Sequence, residues 1–300
     1  MELATGDGGL GSMRRVCVLP AGFFGPVVIA KSDKLISTMS AKLIVKSESG
    51  FQMPDGNVKF YDACAGYYDV LHSNRDEEFQ FYRSFLPPAL DVLEIACGSG
   101  TLSQVLAETA AYVTGIDASE PMLDLARKRQ PEGRFMQADM RAFDLGKRFD
   151  VVVCPFNSLM HLTPSDALSA LSAFAAHCAD DGQVVIDVAN VDDSFLAPSS
   201  PETVIRTFLD EVSGRSMRAW ERSEYEQESR TLSVHWRIED MQSGETTAAS
   251  SYTQQIFTAG ELDGMIAEAG LHVLQRFGTY DLKPFAAGWP RHLIAAAPRS

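Results

Sequence analysis

Residues Val92 to Arg129 constrain this chain more than any other stretch, because they read as strand, glycine turn, helix, strand ending in an acid, and helix. Val92 to Ile95 is a short run of buried-strand type, and Gly98-Ser99-Gly100 lets the backbone come close to a ligand. Leu102 to Glu108 begins a helical pattern, and Tyr112 to Ile116 is the next strand. Asp117 ends that strand about 20 residues past the glycines, where a nucleotide-binding α/β sheet places an acid to bind a ribose hydroxyl. The pattern predicts half of a doubly wound sheet and a ligand containing a nucleoside.

The glycine loop narrows the choice of nucleoside. A dinucleotide fingerprint is G-x-G-x-x-G/A, but here Gly98 and Gly100 are followed by Ser103 where the third small residue belongs. Glu94 stands four residues before Gly98, and a carboxylate there suits the cationic ammonium of an amino acid better than a pyrophosphate. In E-I-A-C-G-S-G the chain resembles motif I of the class I S-adenosylmethionine-dependent methyltransferases, (D/E)-x-G-x-G-x-G, with Ala96 in place of the first glycine.

Two further segments agree in position. Arg134 to Gln137 reads as a brief strand leading into Ala138-Asp139-Met140, and Phe149 to Cys154 as a buried strand leading into Pro155-Phe156-Asn157-Ser158. In a doubly wound sheet the carboxyl ends of such strands line one crevice at the topological switch point. The resemblance implies S-adenosyl-L-methionine as cofactor. It implies that Glu94 orients the amino-acid part, that Asp117 binds the ribose, and that Asp139 with Met140 alongside binds adenine. Ala96, Gly98 and Gly100 then line the space under the methionine moiety. Asp is also favoured at turns and helix caps, so Asp117 and Asp139 carry weight only jointly.

Composition excludes several classes. The net charge of −14, from 26 basic and 40 acidic residues, argues against a phosphate-backbone partner, which needs a basic footprint. Five cysteines without metal spacing fit a reducing, cytoplasmic setting and imply no metal site. No apolar run reaches the ~20 residues of a membrane helix. Arg14-Arg15 and the apolar run after them resemble the start of a signal peptide, but Pro20, Gly22, Gly25 and Pro26 interrupt it. Residues 1–57 are expected to form a poorly ordered extension, with Met39 and Met53 as alternative starts.

From Val58 the pattern becomes regular. Tyr61-Asp62 and Tyr68-Asp69 match Y-D-x-x-A-x-x-Y-D, a segment that lies before motif I in many small-molecule methyltransferases and forms a lid over the cofactor. An aromatic ring there can stack on adenine or cover a sulfonium, a role assigned to Tyr61. Packing of a helix onto the sheet is the competing reading for both tyrosines.

After a helix over Ser165 to Cys178 and a fifth strand over Gln183 to Val188, the texture changes. Leu232, Val234, Trp236 and Ile238 alternate with polar residues, so Ser216–Tyr225, Arg230–Glu239 and Thr246–Phe257 read as an antiparallel meander. His235 and Arg237 are expected on its solvent side. Thr258 as N-cap, a helix over Ala259 to Ala269, a stop at Gly270 and strands at Leu271–Phe277 and His292–Ala297 close the chain. The expected architecture is a doubly wound Rossmann-like core over 58–190 and 258–300, with a β insert over 191–257 between the fifth strand and the last helix.

This layout resembles the aminosugar N-methyltransferases and glycine N-methyltransferase-like enzymes, whose inserts roof the acceptor pocket or form a dimer contact. FNSLMHL resembles the F-S-S-x-x-H-L segment of the aminosugar enzymes, whose histidine sits near the acceptor. The expected reaction is methyl transfer to N or O of a small-molecule acceptor. His161 and Tyr68 are expected to approach it from opposite walls and manage its proton. A helix cap or a buried hydrogen bond is the alternative for His161. A homodimer fits the layout. A nicotinamide-dependent oxidoreductase and a non-catalytic nucleoside-binding module are the competing functions.

Overall fold

The computed structural model describes residues 55–88, 90–191, 198–286 and 288–299. The apolar run and the alternative starts expected near the N-terminus lie outside the described residues. Two helices, α1 (Asp55–Leu71) and α2 (Asp76–Phe85), precede the α/β pattern. That pattern runs β1 (Asp91–Ile95), α3 (Thr101–Leu106), β2 (Tyr112–Asp117), α4 (Glu120–Arg129), β3 (Arg134–Gln137) and β4 (Phe149–Cys154). A 3₁₀ turn (Ser158–His161), α5 (Pro164–His177) and β5 (Cys178–Ala189) follow. The insert comprises β6 (Thr203–Asp210), β7 (Arg215–Glu226), β8 (Thr231–Asp240) and β9 (Thr246–Gln255). After it come α6 (Ala259–Glu268), β10 (Leu271–Phe277) and β11 (Arg291–Pro298).

The main sheet has the order β10-β11-β5-β4-β1-β2-β3. Pairing is parallel from β5 through β3, and β11 runs antiparallel to both neighbours. Val92 to Ile95 are buried on both faces, as a central parallel strand requires. Strand order reverses about β1, between β2 and β4, and the crevice outside their carboxyl ends is where such sheets bind ligands.

The insert is a four-stranded antiparallel sheet in the order β6-β7-β8-β9. Three of its strands follow the expected meander. The fourth, β6, escapes the period-2 pattern because a bulge between Val204 and Arg206 shifts the phase of its apolar residues. The inner face carries Leu232, Val234, Trp236 and Ile238, all buried, and packs on α1. Phe60 of α1 sets its ring edge-on to Trp236 at 4.9 Å and Tyr252 at 4.7 Å, so one apolar core joins the two sheets.

The other face is less open than expected. Arg237 is half-buried, paired with Glu202 and Glu239, and lies over the Trp220 ring at 5.0 Å. His235 is likewise half-buried. At the chain's end, Thr258 caps α6 in a reciprocal capping box with Glu261, and Gly270 stops it at φ 81°. Strand β5 starts directly after α5, five residues earlier than its apolar run. This is possible because Gly182 passes so near the Asp150 carbonyl that a Cβ would come within 2.7 Å. Among the described residues no helix is long and apolar enough to cross a membrane.

Candidate active site

A cavity of about 460 Å³ opens at the carboxyl ends of β1, β2 and β4. Its lining includes Tyr61, Tyr68, Glu94, Ala96, Gly98, Asp117, Asp139, Met140 and His161, so nine of the ten residues expected to form the site reach it. Gly100 stands behind the wall, at φ 76°, against α4, where a Cβ would come within 2.9 Å of Ala126.

Local backbone shapes the crevice. Ala96 stands where the motif has glycine and takes φ 53°, a left-handed conformation that costs an L-residue roughly 1–2 kcal/mol. Phe156 and Asn157 after β4 are also left-handed, at 55° and 64°. Asn157 is held there from behind, its backbone N–H donating to the Asp187 carbonyl at 2.9 Å and its Oδ1 accepting from Ala189 N–H at 2.7 Å.

Three carboxylates line the cavity in different states. Glu94 is 1% exposed, and burial pushes its pKa up to about 8 despite the 2.5 Å hydrogen bond from Ser103. Asp117 accepts from the N–H groups of Gly98 at 2.8 Å and Ser119 at 2.9 Å, tying the glycine loop to β2. Burial raises its pKa against those bonds. Asp139 accepts two guanidinium contacts at 3.0 Å from Arg141 Nε, and this partner holds it below its ordinary value.

Helix α1 forms the roof. Its seven-residue repeat places Tyr61 and Tyr68 two turns apart over the cavity, with rings 5.8 Å apart. The aspartates beside them clasp the helix down. Asp62 accepts from Ser119 Oγ at 2.6 Å, and Asp69 accepts from Ser99 Oγ and the Arg129 guanidinium, each at 2.5 Å. Asn57 clasps the roof to the insert, accepting from Thr253 N–H at 2.8 Å and donating to the carbonyls of Thr253 and His161.

His161 lies against this roof. Its Nδ1 is 3.1 Å from the Thr253 carbonyl, which can only accept, and 3.3 Å from Asn57 Nδ2, which can only donate; the shorter contact assigns the proton to Nδ1. Nε2 is then free to accept from Tyr61 Oη at 2.7 Å. Burial lowers the imidazole pKa to about 4 and raises that of Tyr61, so the pair is neutral at physiological pH. Tyr61, expected against the cofactor, lines the cavity and is also the partner of His161. Tyr68, expected to work with His161 on the acceptor, lines the cavity as well, accepting from Arg75 at 3.3 Å and stacking on His72 at 4.2 Å. Arg75, 5% exposed, also lays its guanidinium on the Phe156 ring at 4.2 Å.

A methyltransferase-domain family model matches residues 92–182. A dTDP-3-amino-3,6-dideoxy-alpha-D-glucopyranose N,N-dimethyltransferase of Streptomyces fradiae is 31% identical over 69% of this chain and 82% of its own. The chain belongs to the class I S-adenosylmethionine-dependent methyltransferases. A dTDP-3-amino-3,4,6-trideoxy-alpha-D-glucopyranose N,N-dimethyltransferase of Streptomyces venezuelae is 28% identical over 70% of this chain and 90% of its own. Among solved structures, a methyltransferase from Streptomyces caelestis shares the fold at 22% identity and TM-score 0.69, covering 82% of this chain and all of that one. An amino pentose methyltransferase of Micromonospora echinaspora, solved with S-adenosylmethionine bound, is 25% identical with TM-score 0.59, covering 85% of this chain and all of that one.

S-adenosylmethionine is therefore the cofactor of this methyltransferase, and the reaction is methyl transfer to N or O of a small molecule. The cavity suits that ligand, because its lining holds both a carboxyl group, Glu94, and a guanidinium, Arg75, the groups that complement an ammonium and a carboxylate. Sequence reasoning missed Asn57, Asp62, Asp69 and Arg75. The two aspartates were findable, since a seven-residue Y-D repeat on a helix gives the tyrosines one direction and the aspartates another. Asn57 left no local signal, because what it touches is distant in sequence, and so is the Phe156 ring under Arg75.

Proposed function

We propose that this methyltransferase N-methylates the amino group of a nucleotide-linked deoxysugar, the acceptor class named for its relatives in Streptomyces fradiae and Streptomyces venezuelae. S-adenosylmethionine supplies the methyl group as an electrophile on a cationic sulfur. In this reading Glu94 meets the ammonium, Arg75 the carboxylate, Asp117 the ribose hydroxyls, and Asp139 with Met140 the adenine. Tyr61 and Tyr68 cover the sulfur, and the insert closes the acceptor side through β9.

The neutral Tyr61–His161 pair carries the proposal. An ammonium has no lone pair for attack, so the acceptor nitrogen must shed a proton. Tyr61 Oη accepts an N–H from it and passes its own proton to His161 Nε2, while the Thr253 carbonyl holds the imidazole in the receptive tautomer. His161, whose pKa lies near 4, does not keep that proton, which leaves the site to solvent water as the new N–C bond forms and the C–S bond breaks. Alignment of nitrogen, carbon and sulfur supplies the larger share of the acceleration.

The test is incubation with S-adenosylmethionine and dTDP-3-amino-3,6-dideoxyglucose or a catechol, with mass analysis of the products. Methylated and dimethylated aminosugar is expected. Methylation of the catechol with none of the aminosugar overturns the proposal.

A further inference from the structure

Behind the cavity lies a buried ionic cluster that reaches its wall through Phe156. Asp187 of β5 is fully buried, and its carboxylate is shared by four other parts of the fold. Arg291 of β11 donates to it as a buried ion pair, and Tyr82 of α2 donates at 3.2 Å. Tyr280 after β10 donates at 3.0 Å, and the backbone N–H of Phe156 at 3.2 Å. Core packing alone would favour apolar residues of similar volume over such a pair. Two of these contacts converge on Arg75. The Phe156 ring is the platform under its guanidinium, and Tyr82 fixes α2, whose N-cap is Arg75 itself.

We infer that Asp187 is a positioning residue, which through Phe156 and α2 sets the guanidinium of Arg75 for the carboxylate end of the cofactor. The inference rests on the assignment of Arg75 to that carboxylate. A residue that only stabilised the fold would affect every cofactor fragment alike, whereas one acting through Arg75 affects only ligands with the amino-acid tail.

S-adenosylhomocysteine and 5′-methylthioadenosine are a matched pair for the test, both uncharged at sulfur and differing in that tail. Their dissociation constants are to be measured for wild type, Arg75→Met, the paired variant Asp187→Asn with Arg291→Met, which removes both charges together, and Tyr82→Phe. The expected result is a loss of about tenfold or more in S-adenosylhomocysteine affinity for Arg75→Met and for the paired variant. A smaller loss is expected for Tyr82→Phe, with 5′-methylthioadenosine changing less than about twofold throughout. If Arg75→Met weakens both ligands equally or neither, the assignment of Arg75 fails and the inference with it. If Arg75→Met discriminates while the paired variant and Tyr82→Phe do not, Asp187 is structural only and the inference alone falls. Should the paired variant not fold, Tyr82→Phe decides by the same ratio.

Discussion

At the scale of single residues, Glu94 ties cofactor binding to proton release. With its pKa near 8 it is mostly protonated at pH 7, yet a bound ammonium requires the carboxylate. S-adenosylmethionine binding at pH 7 should therefore expel close to one proton, and affinity should rise with pH up to about 8. Calorimetry in buffers of different ionisation enthalpy measures the release, which Glu94→Gln should abolish while weakening binding. The Tyr61–His161 pair makes a second claim at this scale. Tyr61→Phe and His161→Ala should each lower kcat by about tenfold to a hundredfold and leave cofactor affinity within about twofold. No limb from His161 should appear near pH 6.5 in kcat, because its pKa lies near 4. Unchanged turnover in both variants at saturating acceptor would reduce the site to positioning alone.

At the scale of elements, α1 is a roof fastened at separate points. Asn57→Ala removes its hydrogen bonds to β9 and strands the Thr253 N–H, so a stability loss of about 1–3 kcal/mol is expected from thermal or urea unfolding. Turnover should fall with it, since Thr253 also orients His161. The elements themselves were largely legible in the sequence. Runs such as Phe149 to Cys154 are buried on both faces and show it in composition, and Thr258 with Glu261 announces a helix start. What stayed hidden obeys no local period. The bulged β6 loses its alternation at Val204, and α2 lies outside the sheet pattern that organised the reading. The carboxylates at strand ends were likewise legible because the fold fixes their place. The Tyr61–His161 pairing was not, because it joins residues 100 apart on two elements whose relative placement depends on the insert.

For the molecule as a whole, one buried and two half-buried histidines set the acid limit. Burial lowers the pKa of His72 to about 3 and of His161 and His292 to about 4. A histidine whose folded pKa is depressed binds fewer protons when folded, so its contribution is full above about pH 6.5 and is lost as the pH falls toward 4. His292, only 1% exposed and stacked on Phe285, would contribute about 3 kcal/mol of that loss. Glu94 works in the opposite sense, its contribution declining as pH rises from its ordinary value to about 8. Melting temperature should therefore drop steeply between pH 6.5 and 4, and His292→Gln should flatten that slope. An unaltered slope would mean that this histidine charges without leaving its place.

The bond between Asn57 and Thr253 also limits how such enzymes can be recombined. The insert is continuous in sequence and looks like a cassette that could be exchanged between relatives to change acceptors. Yet its last strand supplies the carbonyl that fixes the tautomer of His161, and a residue from the first helix holds that strand in place. The exchangeable unit is therefore discontinuous: residues 203–255 travel with residues 55–71, or a chimera inherits a pocket of the right shape whose histidine is turned the wrong way.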